Sequence, residues 1–269
     1  MFRQRRERLK GLSFNKMIPN ILTMLALCAG LTAIRFGLEE KWEAALISLA
    51  IAAILDSFDG RIARALRGTS KFGAELDSLS DFICFGVAPA ILLYLWTMKD
   101  AGRYGWVLVL LFSVCCALRL ARFNTDIEGP ELPNWTKNYF TGVPAPAGAG
   151  LVLLPMIISF QVDIQFLRQP FVVALFIIVV SGLLVSQLPT YSFKSLRLQH
   201  RFVMLTMLIV GLVAAMVVSA PWLTLTIVLI AYIATFPFGA KSYHLQQAKA
   251  PKPPKNNARP DSEQEIADE

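Results

Sequence analysis

Long apolar runs, repeated between residues 17 and 240, constrain the fold of this 269-residue chain more than any other feature. There are about eight of them, each of about 17 to 25 residues, and each is long enough to cross the hydrocarbon core of a bilayer as a helix. The chain is 55% hydrophobic and only 17% charged, which is too apolar for an ordinary soluble domain. We therefore predict an all-α, polytopic membrane bundle of about eight transmembrane helices.

The two ends of the chain are polar and lie outside the predicted transmembrane domain, residues 17–240. Residues 1–16 are strongly basic, and no small-residue cleavage site follows them, so we predict a retained cytoplasmic segment rather than a signal peptide. This segment either binds anionic lipid headgroups or only orients the first span. Residues 241–269 are polar and contain prolines without apolar periodicity, which predicts a disordered tail. An even number of spans places both ends in the cytoplasm.

Cysteine and histidine offer no sign of a zinc or redox site. The cysteines lie in apolar runs without CxxC spacing: Cys28, Cys84, Cys115 and Cys116. The two histidines, His200 and His244, are isolated in the sequence. We interpret the cysteines as small packing residues.

A charged cluster interrupts the apolar runs between Asp56 and Asp81, with the sequence DSFDGRIARALRGTSKFGAELDSLSD. In a helix, Asp56 and Asp59 are three residues apart and share one face, as do Asp77 and Asp81, which are four apart. Two such pairs facing each other would form a set of oxygen ligands.

The chemistry of this cluster points to a cation and a phosphate. Four carboxylates near a membrane boundary repel one another unless a cation neutralises them, and all-oxygen ligation favours Mg²⁺, Mn²⁺ or Ca²⁺. Arg64 can hold phosphate oxygens through two parallel hydrogen bonds, and Gly60 lets a ligand approach the backbone. The combination predicts a substrate diphosphate.

The spacing of the cluster is also that of a known family signature. The pattern Asp56-x2-Asp59-Gly60-x2-Ala63-Arg64-x8-Gly73-x3-Asp77-x3-Asp81 resembles, at all eight positions, the signature of the CDP-alcohol phosphatidyltransferases. These are integral membrane enzymes that transfer a phosphatidyl group from CDP-diacylglycerol to an alcohol. The resemblance implies the same fold and reaction here.

The resemblance also implies roles for individual residues. The four aspartates would hold one or two divalent cations, Mg²⁺ or Mn²⁺, and Asp81 would be the base that activates the acceptor hydroxyl. The expected contacts to CDP-diacylglycerol are Gly60, Ala63, Arg64 and Ser70. Asn20 and Thr23 follow Pro19 at the predicted start of the first span, and they are either further nucleotide contacts or simply part of a helix start.

The distribution of basic residues predicts the orientation of the site. Arg61, Arg64, Arg67 and Lys71 lie between the aspartate pairs, so the site is expected at the cytoplasmic face. The stretch IARALRGTS is predicted to form a short interfacial helix and turn. This geometry suits CDP-diacylglycerol, whose tails remain in lipid while its nucleotide reaches water.

Arg119 and Arg122 lie at the inner end of the fourth predicted span, three residues apart and on one helix face. Such arginines often extend to the interface simply to reach water. Alternatively, they bind an anionic part of the acceptor or the diphosphate. The sequence leaves both interpretations open.

Three further stretches resemble the membrane phosphatidylserine synthases within this family: ALRLARFN at 117–124, FTGVPAPAGAG at 140–150 and VSQLPTYSFK at 185–194. This resemblance implies L-serine as acceptor, a homodimer among membrane lipids, and a bacterial inner-membrane location, with no nucleic-acid partner. Another acceptor, glycerol 3-phosphate or inositol, is the main alternative. A cation transporter that uses intramembrane aspartates is the alternative from a different class.

Overall fold

The computed structural model describes residues 14–66, 70–128, 139–162, 164–186, 189–191 and 203–249. Most of the predicted basic segment 1–16, and residues 250–269 of the predicted tail, lie outside these ranges. Helices dominate the described chain. They are α1 Phe14–Leu38, α2 Trp42–Ala65, α3 Lys71–Asp81, α4 Ala88–Trp96, α5 Gly102–Glu128, α6 Ala145–Val152, α7 Leu154–Ser159, α8 Pro170–Val185, α9 Val203–Ser219 and α10 Pro221–Lys249.

Three helical stretches of the described chain are long and apolar enough to cross a membrane: Met17–Leu38, Lys71–Trp96 and Met98–Thr125. Shorter apolar helices follow at Pro170–Val185, Thr206–Ser219 and Pro221–Phe236. Apolar helices thus occur throughout the predicted transmembrane domain, and the prediction of a helical fold is confirmed at this level. The number of eight crossings stays a prediction.

The first helix begins earlier than the sequence suggested. We predicted a start near Pro19, with the proline in the first turn, but α1 begins at Phe14 and contains Pro19 in its interior. A proline one turn into a helix removes only one backbone hydrogen bond, and the apolar residues on both sides continue the helix. Asn20 and Thr23 therefore project from an established helix.

The segment between the aspartate pairs also differs from the prediction. Instead of a separate interfacial helix, Ile62–Ala65 form the last turn of α2, which carries Asp56 and Asp59 without a break. Alanine and arginine are strong helix formers, so the helix propagates past Gly60. Residues 67–69 lie outside the described chain. Ser70 then caps α3, its Oγ accepting a hydrogen bond from the Gly73 backbone N–H at 3.0 Å.

A wide π-helical segment, Phe82–Val87, joins α3 to α4 directly after Asp81. Pro89 lies in the first turn of α4, where its missing N–H and its ring disturb the regular α-helical bonding of the preceding turn. The helix is therefore irregular beside Pro89, where one turn is widened. Such turns are frequent at functional sites.

Small residues bring α1 close to the helix that carries the second aspartate pair. A Cβ atom at Gly30 would lie 2.6 Å from Cys84 Sγ, so only glycine fits at this contact. The side chains buried most deeply behind this contact belong to several helices and include Leu92, Leu93, Phe112, Met156 and Ile177. Close packing here places the polar residues of α1 next to α2 and α3.

A short β-ribbon lies at one end of the bundle and was not predicted. Strand β1, Tyr139–Thr141, pairs antiparallel with β2, Pro189–Tyr191, with Phe140 opposite Thr190. Helix α10 packs against β2 and continues to Lys249, the end of the described chain. The predicted tail from residue 241 is thus helical up to that point, because the prolines of the tail first appear at Pro251.

Candidate functional site

Three of the four predicted aspartates converge. Asp56 and Asp59 of α2 and Asp77 of α3 each offer a carboxylate oxygen, and these oxygens all lie within 4.8 Å of one another. Asp59 is buried, with 4% of its surface exposed, and the other two are half-buried. The i, i+3 spacing within α2 and the packing of α3 against the bundle create this group. Carboxylates held so close together and away from water resist ionisation unless a positive charge compensates them, as a bound cation would.

Asp81, the fourth predicted ligand, is not part of this close group. It lies one turn further along α3 than Asp77, on the same helix face. Asp77 Oδ1 and Asp81 Oδ1 are both buried and have no hydrogen-bond partner among the described residues. Buried polar atoms normally have partners, so these oxygens fit ligands of a hard divalent cation.

Thr23 connects α1 to this acidic group. It is buried, and its Oγ1 lies 2.7 Å from Asp59 Oδ2 and 3.1 Å from the Pro19 carbonyl oxygen. A hydroxyl has a single hydrogen to donate, and the shorter distance favours the carboxylate. Ser80 of α3 donates in turn to the Thr23 backbone carbonyl at 3.3 Å. Thr23 therefore orients an aspartate, a contact that the sequence did not predict.

A cavity of about 170 Å³ opens beside the aspartates. All six residues predicted to bind CDP-diacylglycerol line it, together with Asp59 and Asp77. The lining residues are Pro19, Asn20, Thr23, Asp59, Gly60, Ala63, Arg64, Ser70, Gly73, Ala74 and Asp77. The structure thus brings residues of α1, α2 and α3 to one space, although they lie up to 58 positions apart in the sequence, between Pro19 and Asp77.

The two glycines of the motif play different structural parts. A Cβ atom at Gly60 would have the Arg64 guanidinium as its neighbour, at 3.8 Å, so space beside Gly60 remains open to a ligand. A Cβ atom at Gly73 would lie 2.8 Å from Asn20 Oδ1 and 3.1 Å from Ser70 Oγ. Gly73 therefore allows α1 and α3 to pack closely.

Arg119 and Arg122 are not among the residues that line this cavity. Arg119 Nε donates to the Val143 carbonyl at 2.9 Å, and an Arg122 Nη group donates to the Val185 carbonyl at 3.0 Å. Both side chains are half-buried and turn into the bundle rather than outward to the interface.

Sequence reasoning missed a second polar connection at the site. Asn124, near the end of α5, donates from Nδ2 to Ser78 Oγ at 2.9 Å, and Ser78 directly follows Asp77. Both residues stand in motifs that we quoted, but only their apposition in the fold reveals the bond. Serine in a helix usually bonds the carbonyl four residues earlier, as Ser78 also does, so its sequence offers no sign of a distant partner.

Comparison with known families identifies the same family as the aspartate motif. A family model described as CDP-alcohol phosphatidyltransferase matches residues 16–186, which include every predicted site residue. A second, described as CDP-alcohol phosphatidyltransferase 2, matches residues 201–237, which cover all of α9 and part of α10.

Curated relatives cover most of the chain. A protein of Mycobacterium leprae is 39% identical over 83% of this chain and 74% of its own length. A protein of Mycobacterium tuberculosis (strain H37Rv) is 37% identical over 84% of this chain and 79% of its own length. A protein of Bacillus subtilis is 35% identical over 66% of this chain and 91% of its own length. All three are named CDP-diacylglycerol–serine O-phosphatidyltransferase. The chain is an integral membrane protein and belongs to the CDP-alcohol phosphatidyltransferase family.

Proposed function

We propose that this protein transfers the phosphatidyl group of CDP-diacylglycerol to the hydroxyl group of L-serine, forming phosphatidylserine and CMP. The observation that carries the proposal is the group of three converging carboxylates beside a cavity lined by the motif residues. The family supplies the reaction class, and the names of the relatives supply the serine.

The metal site of the proposal consists of Asp56, Asp59 and Asp77, with Asp81 adjoining. Their oxygens are close enough to ligate one cation, and Asp77 Oδ1 has no protein partner among the described residues. We expect Mg²⁺ or Mn²⁺, because both accept all-oxygen ligation and bind diphosphates. When bound, such a cation stabilises the negative charge that develops on the diphosphate as CMP leaves.

Asp81 is the proposed general base. The hydroxyl of serine is far too weak an acid to ionise unaided near neutral pH, so a carboxylate must accept its proton during attack on phosphorus. Asp81 lies outside the close carboxylate group, and its Oδ1 has no hydrogen bond to any described residue. Both observations support Asp81 as the base and the other three aspartates as metal ligands. Asp81 lies one turn from Asp77 on the same helix face and can also share in ligation.

The cavity is the proposed site of the CDP moiety. Arg64 is exposed at the end of α2 and can bind phosphate oxygens, and the open space beside Gly60 allows a diphosphate to approach the backbone. Ala63, Ser70 and Asn20 line the same space. Thr23 would contribute mainly by orienting Asp59, because its hydroxyl already faces that carboxylate.

This proposal differs from one alternative in its acceptor and from the other in its reaction class. Glycerol 3-phosphate and inositol would use the same metal site, and serine is preferred because relatives from several organisms carry serine in their names. Membership of a family of transferases argues against the transporter alternative.

The surroundings of the site complete the proposal. We expect eight membrane crossings within a catalytic domain at residues 17–240, with both termini and the site on the cytoplasmic side of a bacterial inner membrane. The basic residues beside the motif, Arg61, Arg64, Arg67 and Lys71, support this orientation. A homodimer is expected by resemblance to the family.

The decisive experiment is a reconstitution with separate acceptors. Purified protein is incubated with CDP-diacylglycerol and Mg²⁺ or Mn²⁺, with serine, glycerol 3-phosphate or inositol in parallel reactions, and CMP and the lipid product are measured. Serine-dependent formation of phosphatidylserine that a chelator abolishes would support the proposal. Product with a different alcohol would contradict the acceptor, and absence of product with all three would contradict the reaction.

A further inference from the structure

Helix α3, which carries the second aspartate pair, is held by side-chain hydrogen bonds on two sides. Ser80 Oγ donates to the Thr23 backbone carbonyl of α1 at 3.3 Å. Ser78 Oγ accepts from Asn124 Nδ2 of α5 at 2.9 Å. Each residue of an α-helix lies about 100° further around the axis than the one before, so the two serines stand about 160° apart, on the arc that includes both aspartates. The two bonds therefore fix the rotation of α3 from either side of its carboxylates.

The end of α5 that carries Asn124 is itself held in place. Arg119 Nε donates to the Val143 carbonyl at 2.9 Å, and an Arg122 Nη group donates to the Val185 carbonyl at 3.0 Å. These carbonyls belong to two different backbone segments, one just before α6 and one at the end of α8. Because α5 is fixed by these contacts, the amide of Asn124 has a position that does not depend on α3.

The rotation of α3 decides where its carboxylate meets the other two. Asp77 is the α3 member of the close group, while Asp56 and Asp59 both come from α2, and their oxygens lie within 4.8 Å of one another. A hard cation such as Mg²⁺ requires its oxygen ligands at short distances and in nearly ideal geometry. A small turn of α3 would therefore move Asp77 out of ligating position while leaving the α2 pair unchanged.

We propose that Asn124 is a positioning residue for the cation site and acts through Ser78 to hold Asp77 in place. This inference rests on the proposed function, because it concerns the cation of that site. It brings α5 into the site, although the described residues that line the cavity belong to α1, α2 and α3 with its N-cap.

The test removes each partner of the hydrogen bond. Asn124→Ala and Ser78→Ala each delete one partner, and the double variant deletes both. Ser78→Thr keeps a hydroxyl at the same position. For each full-length protein, Tm is measured against Mn²⁺ concentration without substrate, and the midpoint is compared with the Mn²⁺ concentration for half-maximal CMP release.

Two matched controls are present in the same helices. Ser57 directly follows Asp56, as Ser78 follows Asp77, but Ser57 is exposed and donates within α2, to the Ala53 carbonyl at 2.8 Å. Thr125 directly follows Asn124 and donates within α5, to the carbonyl three residues earlier at 2.8 Å. Ser57→Ala and Thr125→Val should both match the unmodified protein.

We expect each single alanine variant to raise both Mn²⁺ midpoints by about 3- to 10-fold, as when one neutral hydrogen bond is lost. The double variant should lose no more than either single variant, because both act on one bond. Ser78→Thr should keep the midpoints of the unmodified protein. Saturating Mn²⁺ should restore most of the CMP release of Asn124→Ala, since a positioning residue does not take part in the reaction itself.

Other results would overturn the inference in distinguishable ways. A lower Tm in Asn124→Ala with unchanged Mn²⁺ midpoints would show that the bond only stabilises the fold. Additive losses in the double variant would show that Asn124 does not act through Ser78. If Mn²⁺ shifts the Tm of the unmodified protein and of all variants equally, the inference alone fails. If Mn²⁺ shifts none of them, the cation site of the proposed function fails as well.

Discussion

The Thr23 hydroxyl lies 2.7 Å from Asp59 Oδ2 and joins the first helix to the first aspartate pair. Both residues are buried, each with 4% of its surface exposed. A carboxylate in such surroundings is oriented by its hydrogen-bond donor, and groups that orient metal ligands commonly affect metal affinity. The relationship makes Thr23 a positioning residue for the proposed cation.

Thr23→Val should therefore weaken the response to metal. Valine has a similar shape but cannot donate, so Asp59 loses its orientation, and the concentration of Mn²⁺ or Mg²⁺ for half-maximal CMP release should rise about 10- to 100-fold. Thr32→Val is the matched control, because Thr32 lies in the same helix and donates to the Cys28 backbone carbonyl, well away from the aspartates in sequence. An unchanged metal response in Thr23→Val would contradict the positioning role.

Asp81→Asn should abolish turnover without disrupting the binding site for CDP-diacylglycerol. Asparagine cannot accept the proton of serine, and the loss of a general base typically lowers the rate by about 10²- to 10⁴-fold. Binding of CDP-diacylglycerol should persist, and CMP release is the measurement. Asp100→Asn, at an exposed turn between α4 and α5, is the control and should leave the rate unchanged. Normal activity in Asp81→Asn would rule out its role as base.

Gly60→Ala should affect substrate binding rather than folding. The new methyl group has room in the protein, with the Arg64 guanidinium 3.8 Å away, but it would occupy the space assigned to the diphosphate. We expect a higher KM for CDP-diacylglycerol and an unchanged Tm. Gly182→Ala is the control, because a Cβ atom there meets no described atom within 4 Å. Unchanged kinetics in Gly60→Ala would place the diphosphate elsewhere.

Gly73→Ala should instead destabilise the packing of α1 against α3. Its Cβ atom would lie 2.8 Å from Asn20 Oδ1, and such overpacking typically costs about 1–3 kcal/mol in the free energy of unfolding. A lower Tm is the expected observation. Adding Asn20→Ala to this variant removes the clashing atom and should restore much of the lost Tm. If the single variant is as stable as the unmodified protein, α1 and α3 do not pack as described.

Divalent cations should stabilise the protein before any substrate is added. A ligand that binds only the folded state raises the free energy of unfolding by about 2.7 kcal/mol at 100 times its Kd. Mg²⁺ or Mn²⁺ should therefore raise Tm, and a chelator should reverse the change. Asp77→Asn removes one of the converging carboxylates and should reduce the effect. An equal rise in Tm in the variant would argue against this site.

Much of the site was predictable because its signal is local. Asp56 and Asp59, and likewise Asp77 and Asp81, lie one turn apart, so helix periodicity alone places each pair on one face. The apolar runs predict membrane helices for a similar reason, since length and composition decide whether a helix can span a bilayer. Helix ends were less predictable: α1 starts before Pro19, and α2 runs on to Ala65.

The contacts between distant segments depended on tertiary structure. The sequence by itself determined the residue types of the site, their spacing within each helix and the apolar character of the bundle. Only the fold decided that Thr23 faces Asp59, that Asn124 bonds Ser78 and that the carboxylates of Asp56, Asp59 and Asp77 converge. The physical reason is that a helix repeats its own geometry along the chain, whereas the rotation and depth of one helix against another follow from the packing of all the side chains between them.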